Sequence, residues 1–145
     1  HGDSMVAMLG ATKVDGKKIT DLINEGKISK EKLDQIIDRT KKGGAEIVKF
    51  LEKGSAFYAP AASGVEMAEC YLKDLKKQLP CAVYLDGEYG TKDIYAGVPV
   101  IIGSKGVEKV IELDLSAEEK DNFDNSIKAV KELFDAAKKI DPELK

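Results

Sequence analysis

One imidazole is present in this chain, at residue 1, and Gly2, Asp3 and Ser4 follow it. A histidine side chain titrates near pH 6.5, so it can give and take a proton at neutral pH, and His1 is the first candidate for catalysis. Three chemistries could use it. A proton carrier needs a carboxylate to orient the ring, and Asp3, only two residues away, is not expected to be that group. A Ser-His-Asp triad with Ser4 is disfavoured, because neighbouring residues on one strand or turn point apart. An amino-terminal histidine can also chelate copper through its amine and ring nitrogen, yet the oxidative enzymes that do so need a second histidine, which this chain lacks. Taken alone, a histidine beside glycine and aspartate more often serves structure than catalysis.

Cys70 and Cys81 are the only thiols, too few and too irregularly placed for a disulfide framework or a four-ligand zinc site. Both are expected to be reduced, and no metal site is expected. Neither G-x-G-x-x-G nor G-x-x-x-x-G-K-[ST] occurs, so no nucleotide-binding motif is recognisable. The segment "GSKG" has the G-x-x-G form of a nucleic-acid clamp. It follows an apolar run in an acidic protein, which favours a hairpin turn instead.

The 145 residues suit one domain, 1–145, with enough chain for one core. Net charge is −3, and lysines alternate with acids along the whole length, so no basic face for nucleic acid is expected. No apolar run approaches the ~20 residues that cross a bilayer, and the amino end lacks a signal-peptide pattern. These features predict a cytoplasmic protein without membrane partners. The absence of an initial Met predicts that the chain starts at a processed or truncated end.

The elements that would position such chemistry follow from pattern. Asp15-Gly16 is a turn signal, and Ile19, Leu22 and Ile23 have short-helix spacing. Ser29 is placed to cap a helix whose apolar stripe (Leu33, Ile36, Ile37, Thr40, Ile47, Val48, Leu51) runs across Gly43-Gly44, a pair expected to mark a bend or a close packing contact. Pro60 stands near the first turn of a second helix with Ala61, Val65, Ala68, Leu72 and Leu75 on one face, either core or subunit contact. Three strands are predicted near 79–86, 96–103 and 107–115, the last two as a hairpin closed by Gly103 to Gly106. Ser116 and Glu119 form an S-x-x-E capping box opening a final helix. Helices, then strands, then a helix predict an α+β fold, with long helices packed on a small antiparallel sheet.

Taken together, the segments "HGDSMV", "GGAEIVKFLEKGSAFYAPAAS", "MAECYLKDLKKQLPCAVYLDGEYG", "DIYAGVPVIIGSKGVEKVIEL" and "EEKDNFDNSI" resemble, in order and spacing, the carboxy-terminal half of the lactate and malate dehydrogenase family. The resemblance covers essentially the whole chain and is closest to the lactate-dehydrogenase-like malate dehydrogenases of bacteria, for which "GSAFYAPAAS" is rather specific. It implies that His1 is the proton carrier of an NAD-dependent oxidation of a 2-hydroxy acid, with malate and oxaloacetate as the substrate pair. It further implies that Ala56 lines the substrate pocket where many lactate enzymes carry threonine, and that Pro60 lines the nicotinamide. The family's Rossmann NAD-binding half, with its glycine loop, substrate-selecting loop, carboxylate-clamping arginine and histidine-pairing aspartate, has no counterpart in these residues. The chain is therefore expected to be inactive alone, to act with its own Rossmann domain, and to form a homodimer or homotetramer. After "HGDSMV" the sequence departs from the family's usual continuation, and the path of residues 7–14 is not carried over. The alternatives are an L-lactate dehydrogenase half, a non-catalytic oligomerisation module built on the helix after Pro60, and the copper-binding oxidase.

Overall fold

A computed structural model of the chain describes residue 2, residues 4–141 and residues 143–144. In chain order it contains strands β1 (Lys13–Val14) and β2 (Lys17–Lys18), helices α1 (Ile19–Asn24), α2 (Lys30–Lys41), α3 (Gly43–Leu51) and α4 (Tyr58–Leu72), strands β3 (Lys77–Asp86), β4 (Lys92–Gly103) and β5 (Gly106–Val110), and helix α5 (Ala117–Ile140). Helices with a small antiparallel sheet make the fold α+β, as the order of sequence patterns predicts. Two compact units divide the chain: one takes the described residues through Ser55 together with those from Leu113 onward, the other is Ala56–Glu112.

In the first unit, Asp15 and Gly16 both adopt positive φ (49° and 80°), which lets a two-residue turn join β1 and β2 with Val14 opposite Lys17. Ser29 caps α2 by accepting the Lys32 N–H at 3.1 Å. The apolar stripe expected to run on through the glycine pair is broken one residue earlier. Lys42 ends α2, and a new helix starts at Gly43. Across that break the Arg39 guanidinium grips the Glu46 carboxylate with two bonds, at 2.8 and 3.1 Å. Each partner holds the other in its charged form, but both are exposed, and such pairs add little to stability. Of the stripe, Leu33 is buried, while Ile36, Ile47, Val48 and Leu51 are not, and the adjacent Phe50 is 77% exposed. Periodicity marks an apolar stripe on each helix without saying whether anything covers it, and only Leu33 of the predicted stripe is buried.

The buried apolar side chains of this unit are Ile19, Leu33, Phe123 and Ile127. Among the described residues of this unit one carboxylate is buried, Glu119, only 8% exposed. It completes the capping box on α5: the Ser116 hydroxyl accepts the Glu119 N–H (3.2 Å), and the Glu119 carboxylate accepts the Ser116 N–H (2.9 Å). The other carboxylate oxygen accepts the N–H of Gly10 (3.0 Å), 109 residues away in the chain. The Gly10 N–H, then that of Ser116, holds the carboxyl below its ordinary value of 4.5, against the opposing effect of burial.

In the second unit, β4 is central, paired antiparallel with β3 and β5. Ile94, Ala96, Val98, Val100 and Ile102 alternate inward along it, the period of a sheet with one face covered. Gly103 pairs with Gly106, closing the β4–β5 hairpin over "GSKG", and the Asp74 carboxylate accepts the Ser104 N–H at 2.8 Å. β4 starts at Lys92, earlier than the predicted 96, because the "DGEYG" corner is tight. Tyr89 there is buried at φ 54°, and Gly87 N–H closes the loop onto Thr91 O (2.9 Å).

The last strand corrects the sequence reading in the other direction, ending at Val110 rather than 115. The Ile111 N–H still bonds to Pro99 O at 2.8 Å, but Ile111 O accepts the Tyr89 hydroxyl (2.7 Å), and the Glu112 carboxylate accepts the Tyr89 N–H (2.6 Å). The alternation in "VIELDL" persists as alternating burial with no ladder to pair with. In α4 the predicted apolar face is likewise not core: Val65 is 69% and Leu72 78% exposed, whereas Cys70 is buried.

Two outcomes follow from this packing. Leu85 and Val100 are fully buried in the sheet, so Leu85→Ala should destabilise the protein by about 2–5 kcal/mol, read as a lower urea midpoint at unchanged slope. Glu119 has a depressed folded pKa, so its contribution is present above the ordinary carboxylate pKa and is lost as pH falls through the folded value. Acid titration of stability should therefore show a smaller loss in Glu119→Gln than in the unaltered chain.

Candidate active site

The segment that follows His1 is held as a strap in the first unit. His1 and Asp3 themselves lie outside the described residues. Gly2, the next residue, donates its N–H to Lys41 O at 2.8 Å, at the carboxy-terminal end of α2. It does so at φ 115°, a conformation that side chains rarely adopt, so a glycine is required beside the histidine for backbone reasons. A turn follows, with Met5 N–H on Gly2 O (3.0 Å). At its far end the strap passes Gly10, where the Glu119 carboxylate holds it, and Thr12 closes a further turn through Met8 O (2.7 Å) and Leu9 O (3.2 Å).

Between those anchors the strap runs beside a cavity of about 400 Å³. Residues 4–7 form one side of it, Lys30, Asp34 and Lys41 of α2 another, and Asn122 and Ser126 of α5 a third. Lys30 and Asp34 pair at 2.8 Å, which raises the Lys30 pKa, though both side chains are exposed and screened. The strap has this cavity on one side, yet Met5 to Leu9 are half-buried, and the Leu9 N–H bonds to Ala7 O at 3.0 Å within the span.

The other two sequence-derived site residues belong to the second unit. Ala56 is half-buried in the loop that leads into α4. Phe57 is the first cap of that helix, its carbonyl accepting the Ala61 N–H at 2.9 Å, and its ring stacks on Tyr58 with centroids 4.5 Å apart. Pro60 is exposed in the first turn, where its missing N–H costs no hydrogen bond. Ala56 and Pro60 thus lie four residues apart at the same helix entrance, on either side of the stacked, exposed rings of Phe57 and Tyr58.

Cys81 lies 3.5 Å from the Met67 sulfur, and burial pushes its thiol up, away from the thiolate a nucleophile needs. Cys70 is fully buried. Among the described residues, no group of three or more His, Cys, Asp or Glu side chains is placed to hold a metal ion, and no helix is long and apolar enough to cross a membrane. Sequence reasoning placed Glu119 in a capping box but missed its bond to Gly10, and no local signal could have revealed a partner so remote.

The same residues match known proteins end to end. The profile of the lactate/malate dehydrogenase alpha/beta C-terminal domain covers residues 1–140. A protein named malate dehydrogenase from Pelagibacter ubique (strain HTCC1062) is 65% identical over 144 residues, 99% of this chain and 45% of that protein. The malate dehydrogenase structure from Salinibacter ruber is 43% identical with a TM-score of 0.89, covering 100% of this chain and 46% of its own. The lactate dehydrogenase structure from Eimeria maxima, with NADH and oxamate, is 43% identical with a TM-score of 0.92, covering 98% of this chain and 44% of its own. The chain spans about half the length of these relatives. Fold, order of elements and residue identity agree across that span, and the chain belongs to the lactate/malate dehydrogenase family, as its α/β C-terminal domain.

Proposed function

We propose that residues 1–145 are the substrate-binding and catalytic domain of an NAD-dependent malate dehydrogenase, reversibly oxidising (S)-malate to oxaloacetate with His1 as general acid and base. The observation that carries this reading is the 65% identity to a protein of that name, over 144 residues. In the forward direction the His1 imidazole takes the proton of the malate 2-hydroxyl while the hydrogen on the same carbon leaves as hydride. In reverse it gives that proton to the oxaloacetate carbonyl oxygen. The ordinary imidazole pKa of about 6.5 is what suits a histidine to both directions at neutral pH.

NAD, when bound, supplies the hydride chemistry. The residues here fit only its nicotinamide end: Pro60 presents an exposed, rigid ring at the entrance of α4, and the chain has no glycine-rich phosphate loop. The remainder of the cofactor belongs, in this reading, to a Rossmann domain elsewhere in the polypeptide, together with the groups that clamp the substrate carboxylate. A cytoplasmic location follows from the same reading.

Ala56 offers a methyl group where a threonine would place a hydroxyl, which suits the longer malate side chain over lactate. The alternative, an L-lactate dehydrogenase half, is supported by the similarity to the Eimeria maxima enzyme. A second reading of another class, an oligomerisation module, draws on α4, whose Tyr58, Val65 and Leu72 leave a wide apolar face uncovered. In the leading reading that face serves a homodimer or homotetramer of the working enzyme.

Three experiments test these statements. The isolated 145-residue chain should show no turnover of NADH and oxaloacetate, since it lacks positioning worth about 7–11 kcal/mol of barrier. In the full-length polypeptide, His1→Asn should lower kcat by roughly 10²–10⁴ with the oligomer intact by sedimentation. Retained activity would refute the proton-carrier role, and lost oligomers with retained activity would favour the assembly module. Ala56→Thr should lower kcat/KM for oxaloacetate by about tenfold relative to pyruvate, the scale on which pocket methyls discriminate.

A further inference from the structure

Two Asp-Gly pairs stand in the described chain, Asp15-Gly16 and Asp86-Gly87. Glycine after aspartate permits a reaction that other neighbours hinder, because no Cβ shields the glycine nitrogen from the side-chain carboxyl. The nitrogen bonds to Cγ, the carboxyl hydroxyl and the amide hydrogen leave as water, and a cyclic imide remains. Water then opens the ring. When it adds at the aspartate backbone carbonyl, that C–N bond breaks and the chain continues through Cγ, an isoaspartyl linkage of unchanged mass. The water lost in the first step is regained in the second, so no oxidant, reductant or cofactor enters.

A folded chain opposes ring closure where the glycine amide is held in a hydrogen bond, or where the backbone is too tied to turn that nitrogen toward Cγ. Both pairs are exposed, so solvent access does not distinguish them. Hydrogen bonding does. The Gly87 N–H is on Thr91 O (2.9 Å), the Asp86 N–H is on the Glu88 carboxylate (2.8 Å), and the Asp86 carboxylate pairs with Lys92 at 3.4 Å. The same corner is tied to the chain leaving β5 through Tyr89. At the other pair, neither the Gly16 N–H nor the Asp15 carboxylate bonds to any described residue, and a Cβ built on Gly16 would meet nothing within 4 Å. Asp15 and Gly16 are the whole connection between strands of two residues each, whose side chains are all exposed. A ladder this short opens locally at little cost, and opening releases Asp15 from the left-handed region (φ 49°) that side chains seldom occupy.

We propose that Asp15, and not Asp86, is a site of spontaneous isoaspartate formation in this protein, and hence of recognition by a carboxyl methyltransferase specific for isoaspartyl residues. Such an enzyme moves the methyl group of S-adenosylmethionine onto the α-carboxylate that the rearrangement frees, leaving S-adenosylhomocysteine. The rearrangement also puts an extra carbon into a turn built for two residues. That disturbs the pairing of Val14 with Lys17 and loosens the next tie, the Ile19 N–H on Thr12 O (3.0 Å), which holds the buried Ile19 at the start of α1.

The test holds the full-length polypeptide folded at neutral pH in heavy-oxygen water and reads each Asp-Gly peptide by mass spectrometry. Every passage through the imide leaves one heavy oxygen atom in the peptide, and a purified isoaspartyl methyltransferase with labelled S-adenosylmethionine counts the rearranged product. The peptide containing Asp15 should gain heavy oxygen about tenfold faster than the one containing Asp86, the factor that one held amide supplies. In urea, where both pairs are released, the two rates should converge. Asp15→Glu, whose longer side chain does not close the same ring, should abolish both the label at residue 15 and most of the methyl transfer, with Tm close to that of the unaltered chain. Equal rates at the two pairs in the folded protein, no label at Asp15, or a difference that persists in urea would overturn the inference. Label at Asp15 without methyl acceptance would overturn it as well, since the ring would then reopen only to aspartate. These measurements need no turnover, so they stand whatever the role of His1.

Discussion

A single buried carboxylate joins stretches of chain that the sequence keeps far apart. Glu119 accepts hydrogen bonds from Ser116, three residues before it, and from Gly10, 109 residues before it, and the first unit is assembled from those two stretches. Removing a charged acceptor from water is costly unless its lone pairs are met, and here backbone amides meet both oxygens. The cost of burial thus enforces the geometry: the charge is tolerated only where the strap and the helix start arrive together. Hydrophobic burial of Ile19, Leu33, Phe123 and Ile127 supplies bulk stabilisation in the same unit, but it is non-directional and would accept many registers. The directional bond selects one.

The second unit is built differently, with α4 packed against the central strand of a three-stranded antiparallel sheet. The alternation along β4 puts five apolar side chains on one face, and the buried tyrosine at the "DGEYG" corner hooks the chain leaving β5 through its hydroxyl and its amide. Sheet, corner and exit segment are thereby cross-tied. Ala56 and Pro60 sit at the front of α4, where the missing N–H of the proline costs no hydrogen bond. Apolar side chains on α3 and α4, Phe50, Val65 and Leu72 among them, are left exposed.

Much of this was readable in advance wherever the determining interaction is local. Ser29 capping α2, the Ser116–Glu119 box, the Asp15-Gly16 turn and the "GSKG" hairpin each depend on groups within a few residues, and each is present. Errors gather where a pattern needed a partner. "VIELDL" has strand periodicity through Leu115, but Tyr89 takes the groups at 111–112 and the ladder stops. The α2–α3 stripe and the α4 face have helical periodicity, but nothing in the period says whether a neighbour covers them, and several of their side chains face solvent. The candidate chemistry at His1, Ala56 and Pro60 came from resemblance rather than from spacing, since a single imidazole without a partner has no pattern of its own.

The sequence by itself determined the α+β order, the caps and turns, and membership in a dehydrogenase family, because short-range hydrogen bonds and apolar periodicity are written in neighbouring residues. Only the tertiary structure decided where the strands end, which apolar faces are covered, and that the strap after His1 is held at Gly2 and Gly10 over an open cavity. Those outcomes depend on pairs separated by tens of residues, whose meeting is settled by the closure of the chain and the desolvation of Glu119, quantities that no local stretch of sequence contains.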